Sequence, residues 1–291
     1  MDQTHRESLL EAIAKAEARL RELDDEKKKI SEELVNLRDQ LAHLSENQVI
    51  KETPLPFAPS VTKDSPSEDK VQLFRSLFRG REDVYPRYWK SKKSGKKGYS
   101  PVCKNEWKTT LCGKPKVKCS GCPNRDFDPV TDKVIRDHLE GKITIGVYPL
   151  LKDETCCFLA IDLDKKSWME DANAFLETCR LIKVPAALER SRSGRGGHVW
   201  IFFSSPVAAS IARQLGCYLL TETMSRRHQL AMDSYDRLFP NQDTMPKGGF
   251  GNLIALPLQK RAREHGNTVF IDENFQPISD QWAYLCSLSR M

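Results

Sequence analysis

The sequence predicts an α+β domain that carries a cysteine-rich knuckle and follows an N-terminal coiled-coil helix. Three observations lead there. Short apolar runs of strand period alternate with longer helical blocks from about residue 146 onward. Four cysteines crowd into residues 103–122, and a heptad pattern occupies residues 1–46. A chain of 291 residues and 33.2 kDa has room for one substantial core and an appendage.

The N-terminal seam runs Leu9, Ile13, Ala16, Leu20, Leu23, then Ile30, Leu34, Leu37, Leu41 and Leu44, stepping by three and four. Lys27 fills its one polar position, which weakens an assembly while restricting its register. Outer positions are dense in Glu, Lys and Arg. Self-association as a dimer or trimer follows from such a seam; a long helix folded back on its own domain is the alternative. Residues 47–68 carry Pro54, Pro56, Pro59 and Pro66 among polar residues, a composition that cannot build a core and therefore reads as a linker.

The next segment, FRSLFRGREDVYPRYW, has the pattern of a short helix running into a turn. From Pro86 to Arg125 twelve Lys or Arg stand against one acid, Glu106, while the whole chain has a net charge of only +6. The basicity is thus local, as expected of a polyanion-facing patch, although a solvated loop has the same composition. Within it lie Cys103, Cys112, Cys119 and Cys122, the last two as C-x-x-C around Gly121. Four soft ligands in hydrophilic sequence fit a closed, structural tetrahedral Zn²⁺ better than free thiols, which have no core to fill there. Such a knuckle, among these lysines, would grip nucleic-acid phosphates and take no catalytic part.

Strand-like GVYPLL and CCFLAIDLD follow, then a helix near Trp168 to Leu181, VPAALERS, HVWIFF, a helix near Ala208 to Met224, and GNLIALPL. In CCFLAIDLD a period of two puts Phe158, Ala160, Asp162 and Asp164 on one face, the two acids roughly 7 Å apart at Cα. Two carboxylates on an apolar strand are costly to desolvate unless a cation balances them, which points to Mg²⁺ or Mn²⁺. Alone, D-x-D is common at strand ends. The segment SRSGRGGHVW adds Gly194, Gly196 and Gly197, whose freedom lets backbone N–H groups approach a phosphate, with Ser191, Arg192, Ser193 and Arg195 as donors. His198 then opens a strand on the same face as Trp200 and Phe202; it is either a phosphate contact or a core histidine. A third acid comes from Asp233 or Asp236 in AMDSYD.

Together FLAIDLD, SGRGGHVW and AMDSYD resemble, in order, the motifs of the archaeo-eukaryotic primase superfamily. The longer segments LFRGREDVYPRYW, SRSGRGGHVWIFF and DSYDRLFPNQDTMPKGGFGNLIALPLQ are similar to the primase-polymerase domain of TOTE conflict systems, bacterial defence-type cassettes in which that domain is usually joined to a helicase. The resemblance covers roughly residues 70–291 and implies an RRM-like sheet within a catalytic domain at 69–291. It implies that Asp162, Asp164 and Asp233 hold two catalytic Mg²⁺ or Mn²⁺ ions, that Ser193 and His198 contact an incoming NTP or dNTP, and that single-stranded DNA is template or primer. Gln242, Lys247 and Lys260 are secondary candidates for phosphate or template, and surface positions explain the lysines equally well.

Two other functions share these features: a non-catalytic, zinc-dependent nucleic-acid adaptor, and a two-metal nuclease. The Gly-rich loop at 191–197 suits a triphosphate better than a diester backbone. No G-x-x-x-x-G-K-[ST] motif is present, so a helicase is expected on another chain or beyond Met291. No run approaches the ~20 apolar residues of a membrane span, and the N-terminus is charged, so a cytoplasmic protein is expected.

Overall fold

The computed structural model describes residues 61–226 and 232–291, with residues 10, 12–19, 21–23, 25–26, 29 and 33 before them. Those earlier residues are helical; Ile13, Ala16 and Leu23 of the heptad seam are among them and are exposed. Leu9, Leu20, Lys27, Ile30, Leu34, Leu37, Leu41 and Leu44 lie outside the described residues, as does the expected linker up to residue 60. The chain divides into a unit at Met1–Pro59 and a second at Ser60–Met291, and the second holds all the elements below.

The second unit opens with α1 (Ser67–Leu77), whose buried Val71, Phe74 and Leu77 recur every three residues and make one apolar stripe. The hairpin β1 (Pro86–Lys90) and β2 (Lys97–Pro101) follows. The cysteine-bearing lobe comes next, and it ends at α2 (Asp132–Leu139). Thr131 caps α2 by accepting from the Val134 N–H at 3.3 Å, which satisfies one of the donors a helix N-terminus leaves open. A short β3 (Gly146–Val147) pairs with β8 (Ile254–Ala255).

The centre is a five-stranded antiparallel sheet. Its strands are β4 (Thr155–Leu163), β5 (Ala187–Arg190), β6 (Gly197–Ala208), β7 (Tyr235–Phe239) and β9 (Val269–Phe270), in the order β7-β4-β6-β5-β9. Helices α3 (Trp168–Leu181) and α4 (Ala209–Arg226) connect β4 to β5 and β6 to β7. The resulting β-α-β-β-α-β path, with its first and third strands central, is the ferredoxin-like split arrangement. Helices α5 (Lys260–Arg263) and α6 (Gln281–Ser287) complete the chain.

Both faces of the central strands are buried, which explains why β4 reads as a continuous apolar run. One face, containing Leu159, lies under α4, where Gly216 leaves room for Leu159 and Leu238. The other carries Phe158, Trp200 and Phe202, and Phe78, the C-cap of α1, lies edge-on against the latter two at 5.0 and 5.4 Å between ring centroids. Each such pair contributes about 0.5–1.5 kcal/mol beyond its buried area. The aromatic face therefore ends, toward the C-terminus of β4, in the polar residues described next.

Candidate active site

Register builds the site. Across β4 and β6, Ala160 faces Trp200 and Asp162 faces His198; across β5 and β6, Glu189 faces His198; across β4 and β7, Asp162 faces Arg237. One row of directly paired residues thus runs Arg237, Asp162, His198, Glu189 across four strands.

Glu189 is 1% exposed, and its Oε2 accepts from His198 Nδ1 and Trp200 Nε1, each at 2.9 Å. That bond leaves His198 Nε2 directed at Asp162, with Oδ1 3.6 Å away. Burial alone would lower the His198 pKa, but the charges of Glu189, Asp162 and Asp164 and the Glu189 bond outweigh it and raise the imidazole to about 9. Asp162 is also raised, above the ordinary carboxylate range. Burial raises it most, His198 opposes that, and Asp164 and Asp236 add like-charge repulsion, for a value of about 6.

Asp164 stands just past the end of β4, is exposed, and is fixed by its backbone N–H donating to Ser234 O at 2.7 Å. Its side chain lies over Gly196: a Cβ there would meet Asp164 Oδ1 at 2.4 Å and Leu163 O at 2.5 Å. Gly194, at φ +72°, supplies the left-handed turn that swings the loop over the acids. Ser191 and Ser193 bond each other through their hydroxyls at 3.1 Å, and Ser193 Oγ accepts from the Arg195 N–H at 3.2 Å. Arg195 is exposed at the loop's tip. Arg192 turns away, its guanidinium 4.2 Å over the Tyr88 ring of β1.

Asp233 and Asp236 are both exposed. A bulge between Asp162 and Leu163 shifts the β4–β7 register beside Asp236, whose Oδ2 accepts from Arg237 Nε at 2.7 Å. The charge of Asp236 is among those that raise Asp162; Asp233 offers its backbone carbonyl to Lys165 Nζ at 2.8 Å. Behind them buried Asp171 accepts from Ser234 N–H at 3.1 Å, Ser234 Oγ at 2.5 Å and Ser167 Oγ at 3.1 Å, tying the loop before β7 to the start of α3. Glu189 and Asp171 are the site-supporting residues that sequence reasoning missed.

Oxygen donors of this kind suit a hard divalent cation. Asp162, raised by burial and then by its acid neighbours, together with a glycine where any side chain would displace Asp164, makes a donor set that fits one. Among the described residues, no three or more His, Cys, Asp or Glu side chains are already drawn together as a metal cluster.

Residues 69–291 match the family model of the TOTE conflict system, Archaeo-Eukaryotic Primase domain. The chain belongs to this family. Nucleotidyl transfer is accordingly the general chemistry of this TOTE-type primase domain. Among solved structures it is similar to the polymerase domain from Mycobacterium tuberculosis Ligase D in complex with DNA. The two share 13% identity at a TM-score of 0.40, over 77% of this chain and 83% of that one. No curated protein matches significantly.

In this primase domain the four lobe cysteines are free and half-buried, and all line one small cavity of about 20 Å³. That is space for about a single water-sized occupant. Cys103 Sγ accepts from the Asp126 N–H at 3.4 Å, and Arg125 Nη1 donates to Ser120 O and Gly248 O at 2.7 and 2.9 Å, joining the lobe to the loop after β7. Gln242 donates to Thr244 O within that loop, while Lys247 and Lys260 are exposed. Among the described residues no helix is long and apolar enough to cross a membrane.

Proposed function

We propose that this domain is a metal-dependent primase-polymerase, transferring a nucleotide from an NTP or dNTP to a 3′ hydroxyl as directed by a single-stranded DNA template. The observation that carries this function is the convergence of Asp162, Asp164 and His198 with the Ser191–Gly196 loop at one end of the sheet.

Asp162 and Asp164, with Asp233 or Asp236, would hold two Mg²⁺ or Mn²⁺ ions. When bound, such ions lower the pKa of an attacking hydroxyl and offset charge on departing pyrophosphate. Asp236 gains support as the third acid because its charge reaches Asp162. His198, clamped by Glu189, presents an N–H at Nε2 to a triphosphate oxygen, and Ser191, Ser193 and Arg195 supply further donors from the loop. The 3′ oxygen bonds the α-phosphorus as the bond to the β-phosphate bridging oxygen breaks, releasing pyrophosphate and a proton to solvent.

In the same proposal Cys103, Cys112, Cys119 and Cys122 hold a structural Zn²⁺, supported by their shared cavity. The N-terminal heptads join copies of the chain, and a helicase acts alongside in a bacterial defence cassette.

The test is incubation with labelled triphosphates, Mg²⁺ or Mn²⁺, and single-stranded DNA with and without a primer. Lengthened or newly started strands with pyrophosphate release are expected. Shortened DNA would mean a nuclease, and salt-sensitive binding without any product would mean an adaptor.

A further inference from the structure

Beside the active-site loop lies a second, open cleft of about 530 Å³. It is lined by Arg87 and Tyr88 of β1, Lys142 and Thr144 after α2, Arg192 of the loop and Arg261 of α5. Backbone pairing makes this a built junction: Tyr88 N–H donates to Thr144 O at 2.8 Å, and Arg87 bridges to Ile145. Four cations line the cleft and no acid does. Lys142 is neutralised by Asp137 and Glu140, but Arg87, Arg192 and Arg261 have no carboxylate ion-pair partner among the described residues. Uncompensated guanidiniums converging on one hollow repel one another, and an anion relieves that cost.

We propose that this cleft binds the phosphate backbone and a base of single-stranded nucleic acid, beside the strand-extending site. It rests on the nucleotidyl-transfer proposal only for the strand's being the template or primer. Arginines from three separate segments lining one open cleft match successive phosphates along a chain better than one compact triphosphate. The Arg192 guanidinium, backed by the Tyr88 ring at 4.2 Å, is a ready plane for a base to stack on. Because Arg192 sits in the same loop as Ser191, Ser193 and Arg195, strand and triphosphate would contact opposite sides of one short segment.

The test is fluorescence anisotropy of a labelled single-stranded oligodeoxynucleotide with the full chain, across a salt series, without triphosphate or divalent ion. Arg87→Ala with Arg261→Ala removes two phosphate contacts. It is expected to weaken binding at least tenfold and reduce the log–log salt slope by roughly 1.4, at about 0.7 per contact on a single strand. Arg192→Lys keeps the charge and removes the plane; a loss of several-fold with an unchanged slope is expected. Lys183→Glu with Arg226→Glu, changing charge away from the cleft, should retain more affinity than the arginine pair, and thermal melting verifies that each variant is folded. Wild-type affinity and slope in the Arg87/Arg261 variant would overturn the proposal, as would loss of labelled triphosphate binding with DNA binding intact. Since no turnover is read, a chain without polymerase activity that still loses DNA binding in this variant would keep the cleft assignment and sink only the catalytic one.

Discussion

Glu189 has a single oxygen serving two buried donors, His198 and Trp200. Replacing it with Gln keeps an acceptor but removes the charge that holds the imidazole. Glu189→Gln is expected to lower nucleotidyl transfer about ten- to a hundredfold, as for other partners that orient a functional histidine. In a double-mutant cycle with His198→Ala the two losses should overlap; full additivity would show that Glu189 does not work through His198. At this scale the sequence was informative where chemistry is local. Asp162 and Asp164 stand out because a period of two puts both on one face of an otherwise apolar run, and His198 because it opens an apolar strand directly after the basic Gly-rich loop. Glu189 did not stand out, since its role comes from β5–β6 register, a pairing no local pattern encodes. Asp171 looked like an ordinary first-turn helix acid until the fold brought Ser234 onto it. Arg192 read as a phosphate donor of the loop, and only the distant Tyr88 accounts for its direction.

At the scale of elements, the site depends on how closely the loop before β6 approaches the end of β4. Gly196→Ala puts a methyl 2.5 Å from the Leu163 backbone oxygen, which cannot rotate away. Destabilisation of about 1–3 kcal/mol is expected from such overpacking, with activity falling more than the melting shift accounts for. Wild-type turnover would show that Asp164 does not need this approach. A second element-level device is His138, wholly buried on α2, which joins that helix to the neighbouring small sheet. Its Nδ1 accepts from the Ile145 N–H at 3.2 Å and its Nε2 donates to Pro257 O at 2.9 Å, so the neutral ring is the one that fits. Burial is the main reason its pKa falls from 6.5 to about 4, against the opposing Pro257 bond and with help from Arg263. A base whose folded pKa is depressed takes up its proton more readily unfolded, so stability is full above pH 6.5 and is lost as pH falls toward 4. The loss amounts to about 3 kcal/mol. Denaturant melts of wild type and His138→Gln at pH 7 and pH 4.5 check it: the variant should start less stable and lose less, and equal losses would remove His138 from the pH response. Element types along β4, α3, β6 and α4 were legible because each is a long segment of strand or helix composition. Within GVYPLL and GNLIALPL the strand pattern was legible, though only the two-residue β3 and β8 form there; β9 was not legible, because its two residues are a strand only through pairing with β5.

For the whole molecule, the archaeo-eukaryotic primase motifs were legible as long literal segments, and the family match over residues 69–291 agrees with them. The cysteine lobe is a separable prediction: with a structural Zn²⁺, about one zinc per chain should be found by elemental analysis. Chelation should expose residues 103–127 to protease before the sheet melts. A metal-free chain with the same protease resistance would end the zinc assignment. The central claim is that Asp162 and Asp164 make the end of this sheet a nucleotidyl-transfer site. Primer extension on single-stranded DNA by Asp162→Ala with Asp164→Ala, in protein verified as folded and DNA-binding, tests it directly. Synthesis is expected to fall to background with strand binding retained, whereas undiminished synthesis by the double variant would contradict the account.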